Sequence, residues 1–282
     1  MKIEFTKMHG CGNDYVYING ISQDIPADIK PDMVRKLSDR HFGIGGDGVI
    51  FINGSDIADF EMEMWNADGT RAEMCGNGIR CVAKYVYDYG LTDKKVVDIC
   101  SFDKVKHIIL TIEDGKAVMA RVDMGEPILE PAAIPTRAIG VEKVVKYPID
   151  VNGKVVDVTC VSMGNPHAIV YVDDVENLEI EKIGPYIENH SFFPKRTNVE
   201  FVQNIDKSHI SMRVWERGTG ETLACGTGCC GLTVAGVLNG LTDREVDIKV
   251  LGGTIHVKWD EADNHVYMTG PATTVFDGSI EI

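Results

Sequence analysis

Apolar residues along this chain come mainly in short runs of strand length, separated by turn-forming pairs. Tyr15-Val16-Tyr17-Ile18, Val49-Ile50-Phe51-Ile52 and Ala168-Ile169-Val170-Tyr171-Val172 are such runs, and residues 198–202, 210–215 and 255–259 repeat the pattern. Runs of this kind predict strands, and Asp114-Gly115 and Asn152-Gly153 predict the turns between them. Two stretches have a different period. After Cys75-Gly76-Asn77-Gly78, apolar side chains return at Ile79, Val82, Ala83 and Val86, a helical spacing, and Gly90 supplies a stop. Residues 231–238 are apolar almost all round, as an enclosed helix is, and end at Gly240. No apolar run approaches the roughly 20 residues of a membrane-spanning helix, so no membrane partner is expected.

The two helical stretches are copies. A shift of 150 positions lays residues 65–98 on 215–248 without a gap. Trp65 falls on Trp215, Cys75-Gly76 on Cys225-Gly226, Gly78 on Gly228, and Gly90-Leu91-Thr92-Asp93 on the identical Gly240-Leu241-Thr242-Asp243. In slightly different registers, Gly12-Asn13 matches Gly164-Asn165, while Val122, Met124 and Pro127 match Val266, Met268 and Pro271. Two long copies are too few for a solenoid. The expected fold is therefore α+β: two pseudo-symmetric domains from an internal duplication, each a curved mixed sheet around a central helix with a cysteine at its entrance. The expected boundaries are residues 1–123, completed by 271–282, and residues 124–270, with the seam in the Pro-rich stretch 124–135.

Composition narrows the function classes. The chain has 282 residues, 44% hydrophobic and 25% charged, the balance of a globular protein with one or two cores. Its net charge of −15 argues against nucleic acid as a partner. Met1-Lys2-Ile3-Glu4-Phe5 lacks the apolar stretch of a secretory signal, and a cytoplasmic location is expected. Eight cysteines in so long a chain do not form a disulfide scaffold. Cys75-x5-Cys81 and Cys225-x3-Cys229-Cys230 are poorly spaced for a tetrahedral zinc site, so no metal is expected.

A cysteine at a helix entrance has specific chemistry open to it. The thiolate is the reactive form, and helix N-termini favour it. The glycine-containing turns after Cys75 and Cys225 let unpaired N–H groups converge on an anion such as a carboxylate. One thiolate and one thiol on opposite faces of a carbon could remove a proton from one side and return one to the other. On spacing alone, an equal alternative is that both Cys-Gly pairs simply begin helices in a duplicated fold.

A wider set of motifs accompanies the cysteines. These are Lys7-Met8-His9-Gly10 with Gly12-Asn13-Asp14-Tyr15, Arg40-His41, Asn66-Ala67-Asp68-Gly69, Met74-Cys75-Gly76-Asn77-Gly78-Ile79-Arg80-Cys81 and Met163-Gly164-Asn165-Pro166-His167. Trp215-Glu216-Arg217-Gly218, Ala224-Cys225-Gly226-Thr227-Gly228 and Tyr267-Met268-Thr269-Gly270 complete the set. Together they resemble the diaminopimelate epimerase family over essentially the whole chain. The resemblance implies interconversion of LL- and meso-diaminopimelate without pyridoxal phosphate or any other cofactor, in lysine and peptidoglycan precursor biosynthesis. It implies an active site in the cleft between the two domains. It makes Cys75 and Cys225 the acid–base pair, and His167 and Glu216 the groups that set their protonation. It assigns substrate contacts to the amides of Asn13, Asn66, Asn165 and Asn198, to Glu216, and to the backbone donors of Gly76-Asn77 and Gly226-Thr227. Arg217 becomes the clamp on the distal carboxylate, for which a planar guanidinium is suited. Gly48 stands where some relatives carry a glutamine contact. The assembly is left open between a monomer and a homodimer.

Two rivals are weaker. Gly43-x-Gly45-x-x-Gly48 formally matches a dinucleotide fingerprint, but it precedes a strand instead of following one. A racemase for proline or histidine would use the same two cysteines, yet Asn66, Asn198 and Arg217 imply a second amino-acid head on the substrate. A non-catalytic binding protein on the same fold would have no need of Cys75, Cys225, His167 and Glu216 together.

Overall fold

The computed structural model describes residues 1–72 and 75–282. Met74, the first residue of one cysteine motif, lies outside the described residues. In chain order the first elements are β1 (Lys2–Gly10), β2 (Asn13–Asn19), α1 (Lys30–Ser38), β3 (Gly48–Asn53) and β4 (Phe60–Asn66). They are followed by β5 (Arg71–Ala72), α2 (Gly76–Asp88), β6 (Val96–Ser101), β7 (Lys104–Glu113) and β8 (Lys116–Asp123). Next come β9 (Tyr147–Val151), β10 (Lys154–Ser162), β11 (Pro166–Tyr171), α3 (Ile180–Glu188), β12 (Asn198–Asn204) and β13 (His209–Glu216). The last are β14 (Gly220–Thr222), α4 (Gly226–Leu238), β15 (Glu245–Val250), β16 (Gly253–Trp259), β17 (Val266–Pro271) and β18 (Thr273–Glu281). No helix among the described residues is long and apolar enough to cross a membrane.

The chain divides into two compact units, Met1–Val122 with Thr269–Ile282, and Asp123–Met268. In the first, β1 pairs antiparallel with both β18 and β2, β2 runs parallel to β3, and β3 pairs antiparallel with β4. β4 then runs parallel to β6 and antiparallel to β5, and β6, β7 and β8 form an antiparallel meander. The second unit repeats this order. β11 runs parallel to β12, β12 pairs antiparallel with β13, β13 lies against β14 and parallel to β15, and β15 pairs with β16. The expected α+β duplication is present as a duplicated strand order.

Each unit has one enclosed helix, for the reason its sequence suggested. In α2 every residue from Gly76 to Val86 is buried, including the charged Arg80 and Lys84. In α4, Gly226 and the residues from Gly228 to Gly236 are buried, so an all-round apolar surface finds partners on every side. Both helices stop at a glycine in the left-handed region, Gly90 at φ +72° and Gly240 at φ +67°, which a side chain would strain. At the other end, Cys75 and Cys225 are the N-cap residues, with extended φ of −134° and −115°. The duplication thus places one sulfur at the N-terminus of each buried helix.

Candidate active site

In the first unit, Cys75 sits where β5 gives way to α2. Its Sγ accepts from the N–H of Gly78 at 3.3 Å and donates to Oδ1 of Asn13, at the start of β2, at 3.2 Å. Oδ1 of Asn13 also accepts from Nδ2 of Asn77 at 3.3 Å. Nδ2 of Asn13 donates to Oδ2 of Asp47 at 2.6 Å, and this bond decides which end of the amide faces the sulfur. Arg40 braces the same corner with ion pairs to Asp14 and Asp47. Fully buried Arg80 reaches back one turn to donate to the Gly76 carbonyl at 3.2 Å and to Oδ1 of Asn77 at 3.0 Å. Burial, then the charge of Cys75, pushes the Tyr15 phenol far above its ordinary range, so it stays a neutral donor beside that cysteine.

In the second unit the sulfur is more enclosed. Cys225 is buried, with Sγ 3.5 Å from Oγ1 of Thr227. Thr227 accepts from Nδ2 of Asn165 at 3.2 Å, and Oδ1 of Asn165 lies 3.1 Å from Nε2 of His167. Nδ1 of His167 is 2.7 Å from Oε1 of Glu200, and both side chains are completely buried. Burial pushes the Cys225 thiol well above its ordinary value, and the carboxylates of Glu216 and Glu200 push the same way. The Thr227 hydroxyl and the Gly228 N–H pull it back only in part, so this cysteine rests as a thiol.

The remaining candidates lie at or beside the ends of β4, β12 and β13. Oε1 of Glu216 accepts from the Thr222 hydroxyl at 2.5 Å. Asn198 is pinned at both ends of its amide, donating to the Pro166 carbonyl at 3.0 Å and accepting from the Arg217 N–H at 2.9 Å. The exposed Arg217 guanidinium donates to the Lys195 carbonyl at 3.1 Å. Asn66, at the end of β4, donates to Oγ1 of Thr70 across a tight turn at 3.1 Å. Asn13, Cys75 and Asn77 therefore meet in one unit, and Asn165, His167, Thr227 and Cys225 in the other. Gly48 faces the carbonyl of Trp65 so closely that a Cβ would lie 2.0 Å from its oxygen, and this backbone leaves no room for a glutamine there.

Three participants were given no role by the sequence: Asp47, Tyr15 (although it stands in one of the motifs) and Glu200. Glu200 had a usable signal, because the 150-position shift lays it on Ile50, a buried apolar position in the first copy. His167, Glu200 and Cys225 lie within 4.8 Å of one another and have the donor types of a metal site. The spacing fits a proton better. Two tetrahedral zinc ligands stand about 3.4 Å apart, whereas His167 and Glu200 are at 2.7 Å.

The fold belongs to a recognisable class. A probable proline racemase from Agrobacterium radiobacter superposes with a TM-score of 0.73 at 14% identity, covering 99% of this chain and 93% of that one. A PhzF-family phenazine biosynthesis protein from Bacillus anthracis gives 0.70 at 16% identity over the full length of both. At the sequence level the similarity is much closer. The diaminopimelate epimerase profile matches residues 5–130 and 159–275. Diaminopimelate epimerases from Acetivibrio thermocellus and Methanococcus maripaludis are 52% and 54% identical, over 99% of this chain and 99% and 100% of theirs. This chain belongs to the diaminopimelate epimerase family.

Proposed function

We propose that the protein interconverts LL- and meso-2,6-diaminopimelate by moving one α-proton between two cysteines, without a cofactor. The observation that carries this reading is the duplicated N-cap cysteine: each unit offers one sulfur at the entrance of a buried helix. An α-proton is weakly acidic, and its removal depends on donors placed where negative charge develops. The N–H groups of Gly76-Asn77 and Gly226-Thr227 at the helix entrances are suited to the α-carboxylate, which takes up that charge. One sulfur, as thiolate, takes the α-proton, and the electron pair passes toward the carboxylate. The other, as thiol, gives its proton to the opposite face, and the centre inverts. The two cysteines have then exchanged protonation states, so the enzyme is ready for the reverse direction.

The reading requires Cys75 and Cys225 to reach opposite faces of a single α-carbon. Asn13 and Asn165, each bonded into the surroundings of its cysteine, would orient the substrate amine and carboxylate. Asn66, Asn198 and Arg217 would hold the distal amino-acid head. His167 and Glu216 would govern the protonation of Cys225. Reaction in the cytoplasm, feeding lysine and peptidoglycan precursors, completes the proposal. Chiral chromatography after incubation with LL-diaminopimelate, proline and histidine tests it. Meso product should form from the first, and the other two should keep their configuration. Racemised proline or histidine, or unchanged LL-diaminopimelate, would refute the substrate assignment.

A further inference from the structure

We propose that Arg80 is a positioning residue: its guanidinium locks the first turn of α2, and with it the asparagine amides that orient Cys75, and Gly10 and Gly270 are glycines because it lies against them. Arg80 is completely buried. Its side chain runs back toward the helix entrance, as helical side chains do. Nη1 donates to the Gly76 carbonyl at 3.2 Å, Nη2 to Oδ1 of Asn77 at 3.0 Å, and Nε to the Pro271 carbonyl at 3.3 Å. A guanidinium only donates, so the end of the Asn77 amide that faces it is the oxygen. Nδ2 of Asn77 then donates to Oδ1 of Asn13, and the far end of that second amide is held by the accepting carboxylate of Asp47. The two amides are thus fixed from both ends, with Oδ1 of Asn13 turned to the Cys75 sulfur.

A cation at this place does not serve the helix itself. The N-terminal end of α2 carries positive partial charge, and cations are favoured at the other end. The room for it comes from two glycines of the first unit. A Cβ on Gly270 would lie 3.0 Å from Cζ and Nε of Arg80 and 3.1 Å from Nη2, its three nearest atoms. One on Gly10 would lie 3.0 Å from Nη2. Neither glycine has φ in the left-handed region, so each supplies space and not backbone freedom. Gly10 closes the motif Lys7-Met8-His9-Gly10 and Gly270 closes Tyr267-Met268-Thr269-Gly270, so these two motifs and the Cys75 motif meet at one guanidinium.

The second copy lacks the cation and both glycines together. The 150-position shift lays Arg80 on Cys230 and Asn77 on Thr227. The shifts that match Gly12-Asn13 with Gly164-Asn165 and Pro127 with Pro271 lay Gly10 on Ser162 and Gly270 on Glu126. Strand pairing supports the same equivalence: His9 pairs with Thr273 in the first unit, and in the second Ser162 bridges to Ile128 in the matching register. Side chains return at both glycine positions where no guanidinium has to be seated.

The test is Arg80→Lys, which keeps the charge and loses the fork, beside Gly270→Ala, whose methyl would meet the guanidinium first, and the double variant. Gly270→Ala carries every readout should Arg80→Lys not fold. In asparagine-labelled protein followed by ¹⁵N NMR, the Asn77 side-chain amide is assigned by its loss in Asn77→Asp. Its protons should exchange slowly with solvent in the parent and roughly tenfold faster in either single variant. The catalytic consequence rests on the proposed epimerase reading. The kcat for LL-diaminopimelate should fall roughly ten- to a hundredfold in each single variant, with KM within about threefold because the charge remains. Both changes disturb one group, so the double variant should be within about threefold of the slower single one, where independent losses would multiply. Parent-like exchange at Asn77, an unchanged kcat in either folded variant, or losses that multiply would overturn the assignment. Because amide exchange needs no turnover, faster exchange at Asn77 in variants of a protein that leaves diaminopimelate unchanged would refute the function and leave Arg80's role standing.

Discussion

Gly228→Ala should destabilise the protein while the same change at Gly78, its counterpart in the other copy, should not. At Gly228 the added methyl would lie 2.5 Å from Oε1 of Glu200 and 3.2 Å from its Cδ and Cγ. That oxygen cannot retreat freely, because Glu200 is sealed and holds His167 at 2.7 Å. Overpacking costs about 1–3 kcal/mol, and weakening a charge-assisted hydrogen bond about 1.5–3 kcal/mol. The gain in helix propensity from Gly to Ala returns at most about 1 kcal/mol. The net loss is therefore about 1.5–5 kcal/mol. At Gly78 the methyl would meet Cδ1 of Ile50 at 2.8 Å, the free end of a side chain that can change rotamer, and Cβ of Cys75 at 3.4 Å. There the strain and the propensity gain nearly cancel. At roughly 2–4 °C per kcal/mol, Gly228→Ala should lower the thermal midpoint by about 3–20 °C relative to Gly78→Ala. Circular dichroism melts of the two variants measure the difference. Equal midpoints would mean that Glu200 is not held where the structure places it.

Three further outcomes follow from the site. The rate of Cys225 alkylation, read by mass spectrometry, should keep rising with pH beyond the range of an ordinary cysteine, near pKa about 8.5. Glu216→Gln removes one of the two carboxylates that raise this thiol, and should move the alkylation profile to lower pH; an unmoved or upward-shifted profile would contradict the stated cause. If Arg217 clamps the distal carboxylate as proposed, Arg217→Met should raise KM for diaminopimelate at least about tenfold; an unchanged KM would dismiss the clamp. Cys75→Ala and Cys225→Ala should each abolish inversion, and substantial meso product from either would exclude a two-base cycle.

The central helices were legible because their periodicity and their glycine stops are local. α2 and α4 begin just after the cysteine entrances at Cys75 and Cys225 and end just before Gly90 and Gly240, several residues ahead of the first apolar positions read from the sequence at their starts. The strand pattern was equally clear wherever runs were apolar, as in β3, whose residues Gly48 to Ile52 are all buried. α3 was hidden by Gly184 and Pro185, residues that argue against a helix in isolation. Packing overrides that preference, because the Trp215 ring lies against Gly184 where a Cβ would be 2.6 Å away. α1 is short, with Pro31 in its first turn, and only Met33, Val34, Leu37 and Ser38 are buried. The cysteines, His167, Asn13, Asn66, Asn77 and Asn165 were legible because they stand within the motifs, whereas Asn198 lies in none of them. Their supports were not: the pairing of Asn13 with Asp47 spans 34 positions and that of His167 with Glu200 spans 33, and neither span has a local signature. Within Asn198-Val199-Glu200-Phe201, the charge at Glu200 suggests a solvent-facing position, but both faces of β12 are covered there.

Deuterium labelling tests the two-base account most directly. LL-diaminopimelate is incubated with the enzyme in heavy water, the reaction is stopped early, and substrate and product are separated and weighed by mass spectrometry. With one sulfur taking the proton and the other returning one already exchanged with solvent, meso product should carry deuterium at the inverted carbon while recovered LL substrate stays almost unlabelled. A single base serving both faces would return solvent deuterium to either configuration. Labelling of recovered substrate at a rate matching that of product would contradict the account.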